Sequence, residues 1–391
     1  MKIVFWIALF IVFYTYIGYG ILLYIIIRLK RLFVGRPHEA VLPADEELPT
    51  MTLMICAYNE EDIVKEKMAN TLALDYPKDK FRIMWVTDGS NDHTNELLAA
   101  YPEVDIVFSP ERRGKTAALK HGLRELKTRY VAFTDANTMI NTGALREIAR
   151  LFSDPTVGCV SGEKRVAARK AGEMASEGEG LYWRYESTLK RWDNELYSAM
   201  GAAGELYAID PQLCREVPDE ALLDDFMLSM YVVQAGKRIA YTSDAYAREY
   251  GSANIYEESK RKRRIAAGGL QSIWWLRSML NPLRQPLVTF QYVSHRVLRW
   301  SITPVAMVLL LIVNIALVAM GAGTFYTVML ILQTLFYLMA LAGWLTNRFG
   351  YKNKLLYTAY YFMFMNFNVF RGMAYLRSHG KSGAWEKAKR S

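Results

Sequence analysis

An uncharged run near the start constrains this chain more than any other feature. Residues 3–27 carry no charged side chain, and about 25 residues at the helical rise outreach the ~30 Å hydrocarbon layer of a bilayer. A cleaved leader is the alternative, but the run is too long for one and no small-x-small pattern precedes Arg28. It reads as a membrane anchor. Arg28, Lys30, Arg31 and Arg36 follow it and only Lys2 precedes it, so the positive-inside rule starts everything after Arg28 on the cytoplasmic side.

A second apolar cluster covers residues 301–320, 325–345 and 355–376. The first two predict a hairpin whose basic connection, with Arg348, Lys352 and Lys354, returns to the cytoplasmic side. The third contains Asn366, Asn368 and Arg371. Polar groups at bilayer depth are costly, so its path, and the side on which the basic tail ends, stay open. Residues 31–49 form a linker with Pro37, Pro43 and Pro49. Residues 266–299 place Trp274, Trp275, Leu276, Met279 and Leu280 close to helical spacing beside Arg277 and Arg284, with Pro282 and Pro286 as interruptions. That pattern predicts short amphipathic helices lying on the membrane surface.

The division is therefore an anchor (1–30), the linker (31–49), a cytoplasmic domain (50–265), interfacial helices (266–299), C-terminal membrane helices (300–377) and a basic tail (378–391). Lys and Arg number 48 against 39 Asp and Glu, a net charge of +9. Most of that excess belongs to membrane flanks, so a nucleic-acid partner is not expected. Cys56, Cys159 and Cys214 fit neither a disulfide framework nor a zinc site and read as reduced thiols.

Within the central domain, runs 51–57, 82–87, 104–108 and 130–134 have strand character, and each leads into a turn and a helix-like segment. Repeated strand-then-helix order implies an α/β fold with a mostly parallel sheet, whose ligands bind at the carboxyl ends of the strands. Those ends are polar: Tyr58-Asn59-Glu60-Glu61, Asp88-Gly89-Ser90 and Asp135-Ala136-Asn137. Each alone also reads as a turn or a helix cap. Three on one rim point to a site. A rim so poor in glycine does not cradle phosphate through its backbone, so a diphosphate there needs a divalent cation, magnesium or manganese, on Asp135 and Asn137. Arg112, Arg113, Lys115 and the run from Lys260 to Arg264 are further cations. Asp224 and Asp225 interrupt an apolar stretch. A carboxylate buried there has a raised pKa and suits a general base, while Asp224 also reads as a helix cap. His38, His93, His121, His295 and His379 are scattered, which excludes a His-based hydrolase.

Together these residues resemble glycosyltransferase family 2. The likeness is to its membrane-integrated branch of cellulose, chitin, hyaluronan and poly-N-acetylglucosamine synthases and ceramide glucosyltransferase. The resemblance spans residues 50–265 and implies a GT-A fold with flanking transmembrane helices. It implies that Ala57, Tyr58 and Glu60 line the base pocket of a UDP-sugar, that Asp88 binds the uracil, and that Lys115 lies beside the nucleotide. It also implies a divalent metal on Asp135 and Asn137, where Asn137 keeps an oxygen ligand but lowers the charge. Asp225 falls at the position of the catalytic base, with Asp224 beside it, in a transfer that inverts the anomeric centre. Gly201, Gly204 and Glu205 match the acceptor-lining segment, with Trp183 on the helix before it as a stacking face. Arg261 and Arg264 match the arginines that contact the pyrophosphate, but Ile265 stands where polymerising members carry a tryptophan, which argues against processive synthesis.

The expectation is a multi-pass enzyme of a bacterial inner membrane that adds sugar to a glycan or lipid acceptor, with association of copies left open. Two rivals remain. A nucleotidyltransferase lacks its Gly-rich loop here, and a non-catalytic scaffold does not account for Asp88, Asp135 and Asp225.

Overall fold

The computed structural model describes residues 1–35, 40–167, 174–250, 255–349, 351 and 353–379. Arg36, Lys352 and the basic tail beyond His379 lie outside them. In chain order the elements are helix α1 (Lys2–Val34), strand β1 (Met51–Ala57), α2 (Val64–Leu72), β2 (Phe81–Asp88), α3 (Thr94–Leu98) and β3 (Val104–Ser109). They continue with α4 (Lys115–Arg124), β4 (Tyr130–Asp135), β5 (Met139–Ile140), α5 (Ala144–Phe152), β6 (Val157–Ala167) and α6 (Met174–Leu196). The last are β7 (Leu206–Ile209), α7 (Asp224–Gln234), β8 (Arg238–Tyr250), α8 (Ile255–Trp275), α9 (Pro286–Ala319), α10 (Thr324–Arg348) and α11 (Lys354–His379).

The sheet order is β3-β2-β1-β4-β7-β6-β8-β5. The first four strands are parallel, as the repeated strand-helix pattern predicts, and β7 then runs antiparallel to β4. β1 is buried along nearly its whole length because helices cover both faces. Its side chains alternate between two cores, Met54 packing with Met84, Phe133 and Tyr207, and Leu53 and Ile55 with Trp85, Ala132 and Ile148. The chain leaves β1 toward β2 on one side and β4 lies on the other, so a crevice opens at the carboxyl end of β1. Antiparallel pairing sets Leu206 opposite Thr134. It thereby brings residues 204 and 205, which precede β7, to the same rim as Asp135.

Among the described residues three helices, α1, α9 and α10, are long and apolar enough to cross a membrane. The π-helical turn Tyr14–Gly18 in α1 abuts another, Val293–Ile302, in α9. There the Thr15 and Thr303 hydroxyls bond at 2.8 Å, as do Tyr14 and Ser294. Beyond this crossing α1 docks on α6: Lys30 donates to the carbonyls of Glu195 and Leu196, Arg31 pairs with Glu195 at 2.5 Å, and the Tyr19 hydroxyl donates to buried Asp193. Anchor and globular domain are thus joined by ionic as well as apolar contacts.

Two segments depart from the pattern read in the sequence. The boundary expected at residue 265 falls inside α8, and residues 286–299, expected among the separate interfacial helices, are continuous with the apolar helix α9. Only 277–280 forms a short helix of its own between them. The polar groups of α11 have specific partners: Asn366 accepts from Tyr16, Asn368 accepts from Ser259, Arg371 donates to Ser259, and Tyr361 donates to Glu258. Helix α11 is therefore paired to α1 and α8 through its polar groups.

Close packing of α11 on α8 requires Gly372, where an added Cβ would stand 2.8 Å from the Ala266 Cβ and the Ala267 nitrogen. Gly372→Val should cost about 1–3 kcal/mol through overpacking and lower the Tm in detergent by several degrees. An unchanged Tm would contradict this packing.

Candidate active site

The rim is organised from β2. Asp88, only 5% exposed, accepts from the Arg113 amide at 3.0 Å and the Gly114 amide at 2.7 Å. The end of β2 thus holds the loop that leads into α4, which turns through Gly114 at φ +97°. Gly89, at φ +67°, is required there, since a Cβ would meet the Arg112 nitrogen at 2.6 Å. Arg112 in turn lies 4.0 Å over the Tyr58 ring, a cation–π pair at the mouth of β1. Ala57 is buried beside it, and the Glu60 amide donates to Thr94. Asp88, expected at a nucleotide base, thus also shapes this loop.

Held in that loop, Lys115 at the start of α4 reaches across the rim. Its Nζ is 2.7 Å from Asp135 Oδ1 and 4.0 Å from Asp224 Oδ2. Burial opposes its charge, but Asp135 and Asp224 outweigh burial and hold the ammonium protonated. Asp224 does not cap α7: it is the first helical residue, and Leu223 at the cap position makes no side-chain bond. Asp224 Oδ2 is instead buried with no hydrogen-bond partner. Its neighbour Asp225 is pushed up to about 6 by burial and by the charge of Asp224.

Small residues admit Asp225 to the rim. A Cβ on Gly204 would come within 2.6 Å of Asp225 Oδ2, and one on Gly201, at φ +95°, within 2.4 Å of the Phe226 ring. Glu205 is held by buried Lys164 at 2.6 Å, which outweighs burial and keeps its carboxyl below the usual range. Lys164 also pairs with Glu249 and lies 5.0 Å over the Trp183 ring. On α8, Arg261 pairs with Glu258 at 3.1 Å. The indole of Trp300, from α9, packs edge-on to Phe226 at 5.0 Å and against Gly269, and with Arg264 and Ile265 it lines the same cavity.

That cavity has a volume of about 480 Å³ and gathers Lys115, Asp135, Asp224, Asp225, Gly204, Glu205, Trp183, Arg261 and Arg264. Ala57, Tyr58, Glu60, Asp88, Asn137 and Gly201 are not in its wall. Its far side is built from α1, α9 and α11, with Tyr16, Arg296, Arg299, Tyr361 and Phe362. Arg296 and Arg299, which the sequence did not single out, both turn inward onto buried Glu186. Lys67 was also missed, since its spacing in α2 suits a surface lysine. It is fully buried behind Asp135, donates to the Thr138 carbonyl at 2.6 Å, and is drawn down to about 7 by burial.

Among the described residues there is no group of three or more His, Cys, Asp or Glu able to enclose a metal ion. Asp135 and Asp224 do face one cation, the ammonium of Lys115, and Asp224 Oδ2 has no other bond. This oxygen-only pair fits a hard divalent cation that completes its shell with water and phosphate.

Comparison with known proteins follows the same lines. Residues 52–209 match the family model "Glycosyl transferase family 2". A poly-beta-1,6-N-acetyl-D-glucosamine synthase of Staphylococcus aureus is 35% identical over 125 residues, 31% of this chain and 30% of that protein. A beta-monoglucosyldiacylglycerol synthase of Synechocystis is 25% identical over 62% of this chain and 53% of its own length. The chain thus spans a third to a half of these relatives. The structure of a mannosyltransferase from Pyrobaculum calidifontis, solved with GDP-Man and Mn2+, superposes with a TM-score of 0.69 over 96% of this chain and 99% of its own, at 22% identity. The parallel strands, the rim they form and the matched segment together show a glycosyl transferase family 2 domain on a GT-A fold, joined to helices able to cross a membrane.

Proposed function

We propose that this chain is a membrane-bound inverting glycosyltransferase that moves a sugar from a UDP-sugar to a lipid or lipid-linked glycan at the cytoplasmic face of a cell membrane. The observation that carries this reading is that Asp225, Lys115 and Arg264 line one cavity whose far wall is built from α1 and α11. The names of the two curated relatives, one a polysaccharide synthase and one a glycolipid synthase, support sugar transfer. Ile265 and the uncharged wall that α11 contributes favour single addition to a lipid over polymer synthesis.

In the proposed step the acceptor hydroxyl gives its proton to the Asp225 carboxylate while its oxygen bonds the anomeric carbon from the face opposite the donor phosphate. The bond from that carbon to the phosphate oxygen breaks, and the nucleoside diphosphate leaves with the electron pair. Lys115 and Arg264 meet its growing charge. A carboxylate pushed up to about 6 is basic enough to take a proton near neutral pH and still largely ionised there. A divalent cation on Asp135 and Asp224 would supply further charge neutralisation at the diphosphate. Tyr58 and Arg112 would face the base, with Asp88 beneath them.

Purified protein with manganese should release nucleoside diphosphate from one member of a panel of UDP-sugars and GDP-mannose, and chelation should abolish the release. Release from none of them, with membrane lipids present, would overturn the reading. Asp225→Asn should lower turnover about 10²–10⁴-fold, the usual loss for a general base, while calorimetry shows nucleotide binding intact. In the wild type the rate should rise tenfold per pH unit below about 6 and level off above.

The stability effect has the opposite sign. Asp225 holds its proton more tightly when folded than at its ordinary 3.8, so native stability is lost as pH rises through the window between about 4 and 6. Asp225→Asn should therefore raise the Tm at pH 8 and leave it unchanged near pH 4. A lower Tm at pH 8 would contradict the assigned shift.

A further inference from the structure

The far end of the cavity holds a positive charge that the transfer chemistry leaves unused. Lys190 on α6 lines the cavity and is only 4% exposed. Among the described residues its ammonium has no hydrogen bond or ion pair, and burial pulls its pKa down. A buried ammonium without a partner is costly. Arg296 adds positive charge beside it, and the acids that favour its charged form, Glu186, Glu205 and Asp225, make no direct bond to it. Glu186, one turn earlier, is already taken by Arg296 at 2.7 Å and Arg299 at 2.9 Å, and the Arg296 Nε donates to the Met200 carbonyl. One carboxylate thus answers two guanidiniums and also meets His295 at 3.2 Å, so it acts on Lys190 only at a distance. The nearby acid Glu205 is paired with Lys164.

Position separates this charge from the donor end. The donor cations sit at the carboxyl ends of the parallel strands, around Lys115. Lys190 belongs to the stretch of α6 that touches the anchor, where the Tyr185 hydroxyl donates to the Tyr16 carbonyl at 2.7 Å and Leu189 packs with Tyr19 and Leu23. The cavity wall contributed by α11 is Thr358, Tyr361, Phe362, Met365, Asn366 and Val369, an uncharged and mostly apolar face at helical spacing. A buried cation beside apolar helices suits an amphiphile whose anionic group is anchored and whose chains run along the helices.

We propose that Lys190, with Arg296 and Arg299, binds the phosphate of a phosphate-bearing membrane lipid. The lipid lies with its chains along α11 and presents a head-group hydroxyl to Asp225. This rests on the transferase reading and names its acceptor class. The donor then occupies one end of the cavity and the lipid head group the other, with the base between them.

The test is equilibrium binding to the full chain in detergent, with three probes: dioctanoyl phosphatidylglycerol, dioctanoylglycerol of the same chain length, and glycerol 3-phosphate. The phosphatidylglycerol should bind at least tenfold tighter than either of the others, with saturating UDP present or absent. Lys190→Gln should erase that preference and Lys190→Arg should keep it, each with a cooperative thermal transition to show that it folds. Equal binding of the two lipids, a preference that survives Lys190→Gln, or displacement by UDP would overturn the proposal. Glycerol 3-phosphate binding as tightly as the lipid would make this a soluble-phosphate site and overturn the lipid assignment. Binding needs no turnover, so a chain that selects the phospholipid but releases no nucleotide from any donor would keep this inference and sink the transferase reading.

Discussion

A single ammonium joins the two halves of this site. Lys115 stands 2.7 Å from Asp135 at the end of β4 and 4.0 Å from Asp224 at the start of α7, and without it the acids of the rim would face one another across a shared cavity. Like charges so placed push carboxyl pKa values upward, an effect Asp225 shows even with the lysine present. Much of the surrounding architecture serves this contact. Asp88 fixes the loop that starts α4, Gly204 leaves room for Asp225, and the antiparallel entry of β7 brings Gly204 to the rim. The ammonium also marks where a divalent cation and a diphosphate would share the same charge.

The parallel half of the sheet was legible in the sequence because its strands are short apolar runs that end in polar turns. The run 51–57 became β1 without change, and the other three grew by one or two residues. The rim followed from that, since topology alone sends strand ends to one edge. The cations of α9 were not legible. Arg296 and Arg299 precede an apolar helix, and in sequence a charge that turns inward to Glu186 is identical to one that meets lipid head groups. Lys67 was hidden for a similar reason, because its helix has too weak a pattern to show which face is buried. The amides of α11 were read as a topological puzzle, and their partners Tyr16 and Ser259 lie more than a hundred residues away in the chain.

The contacts between anchor and domain give the site its setting. Helix α1 is tied to α6 through Tyr19, Lys30 and Arg31, and α6 carries Trp183, Glu186 and Lys190. The helix able to cross a membrane and the helix that lines the cavity therefore form one packed unit. In the proposed reading this would hold the site at a fixed depth relative to a bilayer, a geometry suited to an acceptor that arrives within the membrane plane.

The central claim is that Asp225 acts as the base of a single displacement, and the configuration of the product tests it most directly. With the active donor, an α-linked sugar nucleotide, the anomeric proton of the purified product should show the large coupling of a β-glycoside for a gluco-configured sugar in the NMR spectrum. A product that keeps the α configuration would require two displacements or front-face attack, and would contradict the role assigned to Asp225.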